Sequence, residues 1–270
     1  MKIWTNTNTL KDFSQNLIFT EDKKEAEIIL LGSKPIDINK FPNARAIFRL
    51  GVGRDNVPEV EAESLNIKVC FPSEGTAKVI FDETASFTAH LVLQMLYQDI
   101  GNLSEWRRNK RIEISQKTLL ILGMGNIGKL VKLKLENIIK IETFDLLYNE
   151  DDELEGLFSR ADCLSVHIPN TAENDSFIDA QKLSWLKDGA KVVNTARGQI
   201  FDEAALYQEI STGRIQAAFD VFWVEPYKGI LSEFHPSNFL MSPHLASTCQ
   251  GFLSGCRRDL DNLIKALSDD

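Results

Sequence analysis

Lys117–Gly128 reads K-T-L-L-I-L-G-M-G-N-I-G, and a second apolar run, separated from it by a helix-like stretch, ends at Asp145. The first run predicts a buried strand, and Gly123, Gly125 and Gly128 predict a tight turn that leads into a helix. In such a turn the first glycine permits the change of direction and the second lets the backbone approach a phosphate. The third lets the helix pack close to the strand, and free N–H groups at the helix start face the anion. The stretch therefore predicts a site for a dinucleotide pyrophosphate.

Asp145 stands where a carboxylate can accept hydrogen bonds from the adenosine ribose. The same carboxylate would repel a 2′-phosphate, so the sequence favours NAD over NADP as the cofactor. Asn126, which lies inside the turn, is counted with the three glycines and Asp145 among the predicted cofactor-binding residues.

Composition narrows the class of protein. The chain has 270 residues, 43% apolar and 26% charged, which is ordinary for a globular protein. Its net charge of −9 argues against a nucleic-acid or anionic-membrane surface, although a local basic site remains possible. The N-terminus lacks a hydrophobic signal core and no apolar run approaches about 18 residues, so we expect no membrane contact and a cytoplasmic location. The four cysteines form no C-x-x-C pair, and we expect each to be a small buried apolar residue, with no disulfide and no metal site.

The chain reads as two α/β units. In the first we predict helices at Thr9–Ile18 and Pro58–Leu65, and a long amphipathic helix over Ala77–Asp99 leads away from it. The predicted strands of this unit are Lys2–Trp4, Glu27–Leu31, Ala46–Leu50 and Ile67–Phe71.

The second unit alternates strands with helices, which predicts a doubly wound parallel sheet of the Rossmann type. Its predicted strands are Leu119–Leu122, Ile141–Phe144, Cys163–Ile168, Lys191–Asn194, Ile215–Phe219 and Phe239–Met241. The closing segment Ala246–Ser268 reads as a helix too short to be a domain, so we expect it to pack on one of the two units.

Three polar residues follow predicted strands of the second unit: Arg197, Glu225 and His244. Side chains at the carboxyl ends of parallel strands can converge in one crevice. Together they suit the reduction of a 2-keto acid, because a protonated histidine can supply the proton that the carbonyl oxygen needs. A carboxylate beside an imidazole raises that imidazole's pKa and orients it, and a guanidinium holds a carboxylate or carbonyl oxygen.

Each of these residues also has a purely structural interpretation. Arg197 could be a turn residue, Glu225 an exposed turn carboxylate and His244 a hydrogen-bonded structural histidine. Gly51 and Gly53 could only permit a sharp turn. The joint pattern favours chemistry, because all of the structural explanations would have to hold together.

At this point the sequence resembles the D-isomer-specific 2-hydroxyacid dehydrogenases, which include 3-phosphoglycerate, glycerate and glyoxylate-reducing enzymes. The resemblance runs from about Ala46 to Ser247. It lies in I-L-G-M-G-N-I-G, A-D-C-L-S-V-H-I-P-N-T-A-E-N, N-T-A-R-G-Q-I-F-D-E-A-A-L, A-A-F-D-V-F-W-V-E-P and S-P-H-L-A. It implies that Arg197, Glu225 and His244 are the catalytic arginine, glutamate and histidine.

The resemblance also implies roles for further residues. The backbone around Val52 and Gly53 would hold the substrate carboxylate. The implied cofactor contacts are Ile127 at a phosphate, Pro169 and Thr195 on the nicotinamide side, Asp220 near the nicotinamide amide, and His167 in the same matched block as Pro169.

The family pattern predicts the domain order as well. Residues 1–78, completed by the C-terminal helix 246–270, would form a smaller, flavodoxin-like substrate domain, and residues 79–245 the NAD-binding domain. The family usually forms homodimers through the cofactor domains. The chain departs from the pattern where Leu146–Arg160 is short and acidic, which predicts a reduced adenine pocket.

The leading hypothesis is an NAD-dependent oxidoreductase that interconverts a small 2-keto acid and its D-2-hydroxy acid. Arg54, with Arg49 and Lys78, could bind a distal phosphate or second carboxylate, or could be solvated surface charge. A D-3-phosphoglycerate dehydrogenase-type activity therefore stays open. So does a non-catalytic NAD-binding sensor on the same scaffold.

Overall fold

The chain divides into two compact units. The computed structural model describes residues 1–149 and 153–269. Met1–Ile80 together with Ser247–Asp270 forms the first unit, and Phe81–Ala246 forms the second.

The first unit is built on a five-stranded parallel sheet. Its strands are β1 (Lys2–Thr5), β2 (Ile18–Phe19), β3 (Ile28–Leu31), β4 (Ala46–Arg49) and β5 (Lys68–Cys70). Their spatial order is β2-β1-β3-β4-β5, the flavodoxin-like order. The central strands β3 and β4 are buried at every position, as expected for a parallel sheet covered on both faces.

Two helices follow in this part of the chain. Helix α1 (Glu59–Ser64) precedes β5, and α2 (Glu74–Leu96) begins in the first unit and continues into the second. The unit boundary after Ile80 falls inside α2.

The second unit contains a small antiparallel hairpin and a six-stranded parallel sheet. The hairpin pairs β6 (Gly101–Asn102) with β7 (Arg107–Arg108). The sheet consists of β8 (Thr118–Leu122), β9 (Lys140–Phe144), β10 (Cys163–Val166), β11 (Lys191–Asn194), β12 (Gln216–Phe219) and β13 (Phe239–Met241), in the order β13-β12-β11-β10-β8-β9. Helices α3 (Asn126–Leu135), α4 (Leu154–Arg160), α5 (Ala180–Trp185) and α6 (Glu203–Ser211) connect them.

The last helix, α7 (Gln250–Asp269), packs on the first unit. It buries a stripe at helical spacing: Phe252, Cys256, Leu260, Leu263 and Leu267. These side chains join the cluster that contains Ile3, Leu30 and Phe48. Among the helices in the described residues, none combines the length with the hydropathy that a membrane span requires.

The structure corrects one predicted helix. Thr9–Ile18 contains only a short 3-10 helix, Lys11–Phe13, before β2 begins. Ser14 Oγ donates to the Lys11 carbonyl, and Asn16 has a left-handed φ of 64°, so the backbone leaves the helical path. The strand β2 and the β6–β7 hairpin were not predicted.

The cysteine expectation is half wrong. Cys163 and Cys256 are buried, but Cys70 and Cys249 are only half-buried. Burial raises the pKa of Cys163 and of Cys256 to about 12, so these two thiols behave as small apolar groups.

Candidate active site

The glycine-rich turn after β8 depends on close backbone contacts. Gly123 has a φ of +98°, and a Cβ atom there would lie 2.7 Å from the carbonyl carbon and oxygen of His167. A Cβ atom on Gly128 would collide with the Gly123 carbonyl oxygen. No larger residue fits either position, so the turn and the start of α3 are held against each other as the sequence predicts.

Gly125 differs from Gly123 and Gly128. A Cβ atom there would meet nothing within 4 Å, and no side chain caps the N-terminus of α3. Open space above uncapped helix N–H groups is what a phosphate requires. Asn126 is exposed and Ile127 half-buried in the first turn of α3. These residues therefore fit a dinucleotide pyrophosphate.

Asp145 lies at the end of β9 and bonds to this turn. Its Oδ2 accepts a hydrogen bond of 2.7 Å from the Met124 N–H, and its Oδ1 accepts one of 3.0 Å from the Leu147 N–H. The carboxylate is thus fixed beside the glycine-rich turn, with further lone pairs for ribose hydroxyls. In the short acidic segment that follows, Glu150, Asp151 and Asp152 lie outside the described residues, so the predicted reduction of the adenine pocket remains a prediction.

His167 follows β10 and is half-buried. Its Nε2 lies 2.8 Å from Oγ of the fully buried Ser165. Burial lowers the pKa of His167 to about 4, so the imidazole is neutral near pH 7. Pro169 is exposed, and its carbonyl accepts a hydrogen bond from the buried Asn174.

The turn after β11 positions Arg197. The fully buried Asn194 accepts a hydrogen bond from the Ala196 N–H at 3.0 Å and donates one to the Arg197 carbonyl at 2.8 Å. A Cβ atom on Gly198 would collide with the backbone of Phe222 and Trp223. The Arg197 turn is therefore pressed against the loop that carries Glu225.

Glu225 and His244 form a hydrogen-bonded pair. Nδ1 of His244 lies 2.9 Å from Oε1 and 2.8 Å from Oε2 of Glu225, and Oε1 also accepts from the Phe222 N–H at 3.2 Å. Burial raises the pKa of the Glu225 carboxyl, but the hydrogen bond and charge of His244, the Phe222 N–H and the charge of Arg197 outweigh it, so that pKa lies below the ordinary 4.5. The carboxylate is therefore ionised near neutral pH.

The pairing leaves the other ring nitrogen of His244 for chemistry. Among the described residues, no hydrogen bond from a protein group reaches Nε2 of His244. A histidine oriented by a carboxylate at Nδ1 can exchange a proton at Nε2.

Asp220 holds the loop that carries His244. Its fully buried carboxylate accepts hydrogen bonds from Ser242 Oγ at 2.6 Å, the Leu245 N–H at 2.9 Å and the Ala246 N–H at 2.8 Å. Burial raises the pKa of this carboxyl above its ordinary 3.8. His244 itself has a left-handed φ of 51°, so these bonds stabilise a conformation that histidine rarely adopts.

Thr195 is buried with its hydroxyl turned toward α2. Its Oγ1 lies 2.8 Å from Oγ1 of Thr88, which donates to the Thr84 carbonyl. The side chain predicted to line the nicotinamide thus bonds to a helix, so a cofactor contact there would come from the backbone.

In the first unit, the loop after β4 is organised by Arg49. This arginine is only 5% exposed, and it donates to the carbonyl oxygens of Gly53, Leu31 and Leu50. Gly51 has a φ of +122°. Among the described residues, the N–H groups of Val52 and Gly53 donate to no protein acceptor, which suits backbone donors for a carboxylate.

Arg49 was expected either to bind a distal phosphate or second carboxylate or to be a solvated surface charge, and both expectations are wrong. Arg49 is neither solvated nor available to a substrate, because it binds carbonyl groups in the interior. Arg54 is exposed and pairs with Glu59 through Nη1 at 2.8 Å, with its guanidinium over the Phe71 ring at 4.1 Å. Lys78 is exposed on α2.

Within residues 1–149 and 153–269, no group of three or more histidine, cysteine, aspartate or glutamate side chains is arranged to hold a metal ion.

Known proteins resemble this chain along most of its length. The family model of the D-isomer specific 2-hydroxyacid dehydrogenase, NAD binding domain, matches residues 93–246. A hydroxypyruvate reductase of Thermotoga maritima is 33% identical over 223 residues, which cover 77% of this chain and 72% of that protein. The chain belongs to the D-isomer specific 2-hydroxyacid dehydrogenase family.

Two further comparisons mark the limits of this likeness. A D-3-phosphoglycerate dehydrogenase of Synechocystis is 33% identical over 221 residues, which cover 76% of this chain but only 40% of that protein. The solved structure of D-lactate dehydrogenase from Aquifex aeolicus, complexed with NAD and lactic acid, matches with a TM-score of 0.78 and 23% identity, covering 100% of this chain and 96% of that chain. The structural match shows the fold.

These findings confirm the family, the two-domain α/β fold class, the NAD-binding domain and the dehydrogenase class that the sequence predicted. Sequence reasoning missed Asn194, Gly198, Ser165 and Ser242 as neighbours of the predicted residues. All four lie inside motifs that carry the family resemblance: Asn194 and Gly198 in N-T-A-R-G, Ser165 in A-D-C-L-S-V-H, and Ser242 in S-P-H-L-A.

Proposed function

We propose that this family member reduces a small 2-keto acid to its D-2-hydroxy acid, with NAD as the cofactor, and catalyses the reverse reaction. The observation that carries the proposal is the Glu225–His244 pair, in which two carboxylate oxygens face Nδ1 at 2.9 and 2.8 Å. It lies in the domain that matches the family's NAD-binding domain.

Each catalytic residue has one task in this proposal. The Arg197 guanidinium binds the carbonyl and carboxylate oxygens of the substrate. Nε2 of the protonated His244 donates a proton to the carbonyl oxygen as negative charge develops there. The Glu225 carboxylate orients the imidazole and stabilises its protonated form. In the first unit, the N–H groups of Val52 and Gly53 bind the substrate carboxylate.

The cofactor would be held by the glycine-rich turn, the start of α3 and Asp145. The open space at Gly125 supports a pyrophosphate at that point, and the fixed carboxylate of Asp145 supports NAD over NADP. When bound, the reduced cofactor supplies the hydride that adds to the substrate's carbonyl carbon.

The charges in the first unit favour a small, unphosphorylated acid. Arg49 is buried against carbonyl groups and Arg54 is paired with Glu59, which leaves Lys78 as the remaining candidate of the three for a distal phosphate. The D-3-phosphoglycerate alternative rests on relatives such as the Synechocystis enzyme, of which this chain spans 40%.

A panel of keto acids tests the proposed function. We expect oxidation of NADH, faster than that of NADPH, with glyoxylate, hydroxypyruvate or pyruvate, and slower oxidation with 3-phosphohydroxypyruvate. Tight NADH binding without turnover on any acid would instead indicate the non-catalytic sensor.

We also propose a homodimer that forms through the second unit. Four large apolar side chains on and around the β6–β7 hairpin are exposed: Ile100 at 64%, Leu103 at 70%, Trp106 at 79% and Ile112 at 61%. A cluster of this kind is typical of an interface. The four free thiols suit a reducing compartment such as the cytoplasm, which we propose as the location.

A further inference from the structure

A cavity of about 280 Å³ lies inside the first unit, away from the residues considered so far. Its wall includes Trp4, Leu10 and Leu30, with Phe19, Lys11 and Glu21 around them. Its volume is slightly below the roughly 300–1,000 Å³ of pockets for drug-sized ligands, so it suits a smaller molecule.

The cavity lies at the carboxyl ends of the strands, beside the switch point of the sheet. In the order β2-β1-β3-β4-β5, the chain leaves β1 toward one edge and β3 toward the other. Ligands of open α/β sheets bind outside the strands' carboxyl ends at such a point. Residues Thr5 and Leu30, near the ends of β1 and β3, both line the cavity.

The loop that follows β1 is held in place before any ligand arrives. Thr5 Oγ1 donates to the Leu30 carbonyl at 3.0 Å, and the hydroxyls of Thr7 and Thr9 lie 2.6 Å apart. Asn6 Oδ1 accepts from the Gly32 N–H at 2.7 Å. A preformed wall of this kind lowers the entropic cost of binding.

Charges of opposite sign line the cavity. Lys11 and Glu21 both line it, yet among the described residues neither forms an ion pair or a side-chain hydrogen bond with another protein group. Their charged atoms are therefore more than 4.0 Å apart. An α-amino acid carries a carboxylate and an ammonium group on one carbon and a side chain beside them, so it matches a cavity lined by a cation, an anion and apolar side chains.

We propose that this cavity binds a free α-amino acid with an apolar side chain. Lys11 binds its carboxylate, Glu21 binds its ammonium group, and Trp4, Leu10, Phe19 and Leu30 contact its side chain.

Hydrogen bonds connect this site to the loop after β4. Gly32 donates its N–H to Asn6, and its carbonyl accepts from Asn56 Nδ2 at 2.7 Å. Asn56 lies in the loop that contains Val52 and Gly53. The bound amino acid is therefore an effector of the substrate loop, a role that rests on the proposed function, whereas its binding does not.

Calorimetric titration of the whole chain tests the site with three probes: leucine, leucinamide, which lacks the carboxylate, and N-acetylleucine, which lacks the ammonium group. We expect leucine to bind at least about tenfold more tightly than either derivative. Lys11→Ala should abolish the preference over leucinamide only, and Glu21→Gln the preference over N-acetylleucine only. Lys24→Ala and Glu63→Gln, which change exposed charges outside the cavity, should preserve both preferences.

Two results would overturn the proposal: no heat of binding for leucine or phenylalanine at millimolar concentration, or binding that Lys11→Ala and Glu21→Gln leave unchanged. Because the readout is binding, either result is independent of whether the chain turns over keto acids.

Discussion

At the scale of single residues, the site depends on carboxylates that are already committed to hydrogen bonds. Glu225 fixes one nitrogen of His244, and Asp220 fixes the loop on which His244 stands. Both carboxylates are at least partly buried, so their charge acts in a medium of lower dielectric than water. The imidazole therefore has one orientation before substrate binds.

Removing the charge of Glu225 should slow turnover while the fold survives. In Glu225→Gln, the amide oxygen can still accept from Nδ1 but no longer stabilises the protonated ring. We expect kcat/KM for keto-acid reduction to fall about a hundredfold and NADH affinity to stay within about twofold. Steady-state kinetics with the exposed Glu233→Gln as control checks this, and a variant as active as the control would contradict it.

His167 should make stability depend on pH. Its pKa is lowered to about 4 from the ordinary 6.5, so between these values the unfolded chain binds a proton there that the folded chain does not. The stabilisation is fully present above pH 6.5 and is lost as pH falls toward 4. When the pH falls from about 7.5 to about 5, the free energy of unfolding of His167→Gln should decrease by about 2 kcal/mol less than that of wild type.

Calorimetric unfolding at several pH values measures this difference. The exposed His90→Gln should keep the wild-type slope. Equal slopes for His167→Gln and His90→Gln would show that His167 is not the group responsible.

At the scale of elements, two glycines of the glycine-rich turn, three positions apart, serve different purposes: one is needed for folding and the other for binding. Gly128 has no room for a methyl group, whereas Gly125 has open space. The same substitution at the two positions should therefore have different consequences.

Gly128→Ala should destabilise the chain by about 1–3 kcal/mol, because the methyl group meets the Gly123 carbonyl. Gly125→Ala should unfold like wild type but bind NADH about tenfold more weakly, because the methyl group occupies the space proposed for phosphate. Denaturant unfolding and fluorescence titration with NADH measure the two effects. Unchanged NADH affinity in Gly125→Ala would place the pyrophosphate elsewhere.

The elements that could be predicted from sequence are those whose burial repeats along the chain. The runs that became β3, β4, β8 and β11 contain consecutive apolar residues because both faces of a parallel sheet are covered. The segment Thr9–Ile18 has helical spacing, but Ser14 Oγ bonds to the Lys11 carbonyl and Asn16 adopts a left-handed φ, which a helix does not allow. The two-residue strands β2, β6 and β7 are too short to show any periodicity.

The site residues also fall into those that could be predicted from the sequence and those that could not. Arg197, Glu225 and His244 could be selected because each follows a strand and matches a family motif. The role of Asp220 in holding the His244 loop depends on bonds between segments far apart in sequence, such as Asp220 with Ala246. The burial of Arg49 depends on carbonyl groups from β3 and the loop after β4, which no local pattern encodes.

At the scale of the whole molecule, the region of the β6–β7 hairpin is basic although the chain as a whole is acidic. The net charge is −9, yet the hairpin region 106–111 reads W-R-R-N-K-R. Exposed apolar side chains lie beside these basic residues. A second copy of the chain, whose net charge is negative, is therefore a suitable partner, because attraction between opposite charges adds to the burial of apolar surface.

Removing exposed apolar side chains on and around the β6–β7 hairpin should yield monomers. We expect wild type to be dimeric and the double variant Leu103→Ser, Trp106→Ser to be monomeric, as measured by light scattering after size-exclusion chromatography. Leu147→Ser, which removes a side chain that is 82% exposed elsewhere in the second unit, should remain dimeric. A monomeric wild type, or a double variant that stays dimeric, would exclude this interface.

In the proposed function, Arg197 and His244 act on the substrate and not on the cofactor. The most direct test measures kcat/KM for glyoxylate reduction and the Kd for NADH in the same preparations of wild type, Arg197→Gln and His244→Gln. We expect each substitution to lower kcat/KM at least about a hundredfold and to change NADH affinity by less than about twofold. Turnover that survives His244→Gln, or NADH binding that is lost together with activity, would contradict it.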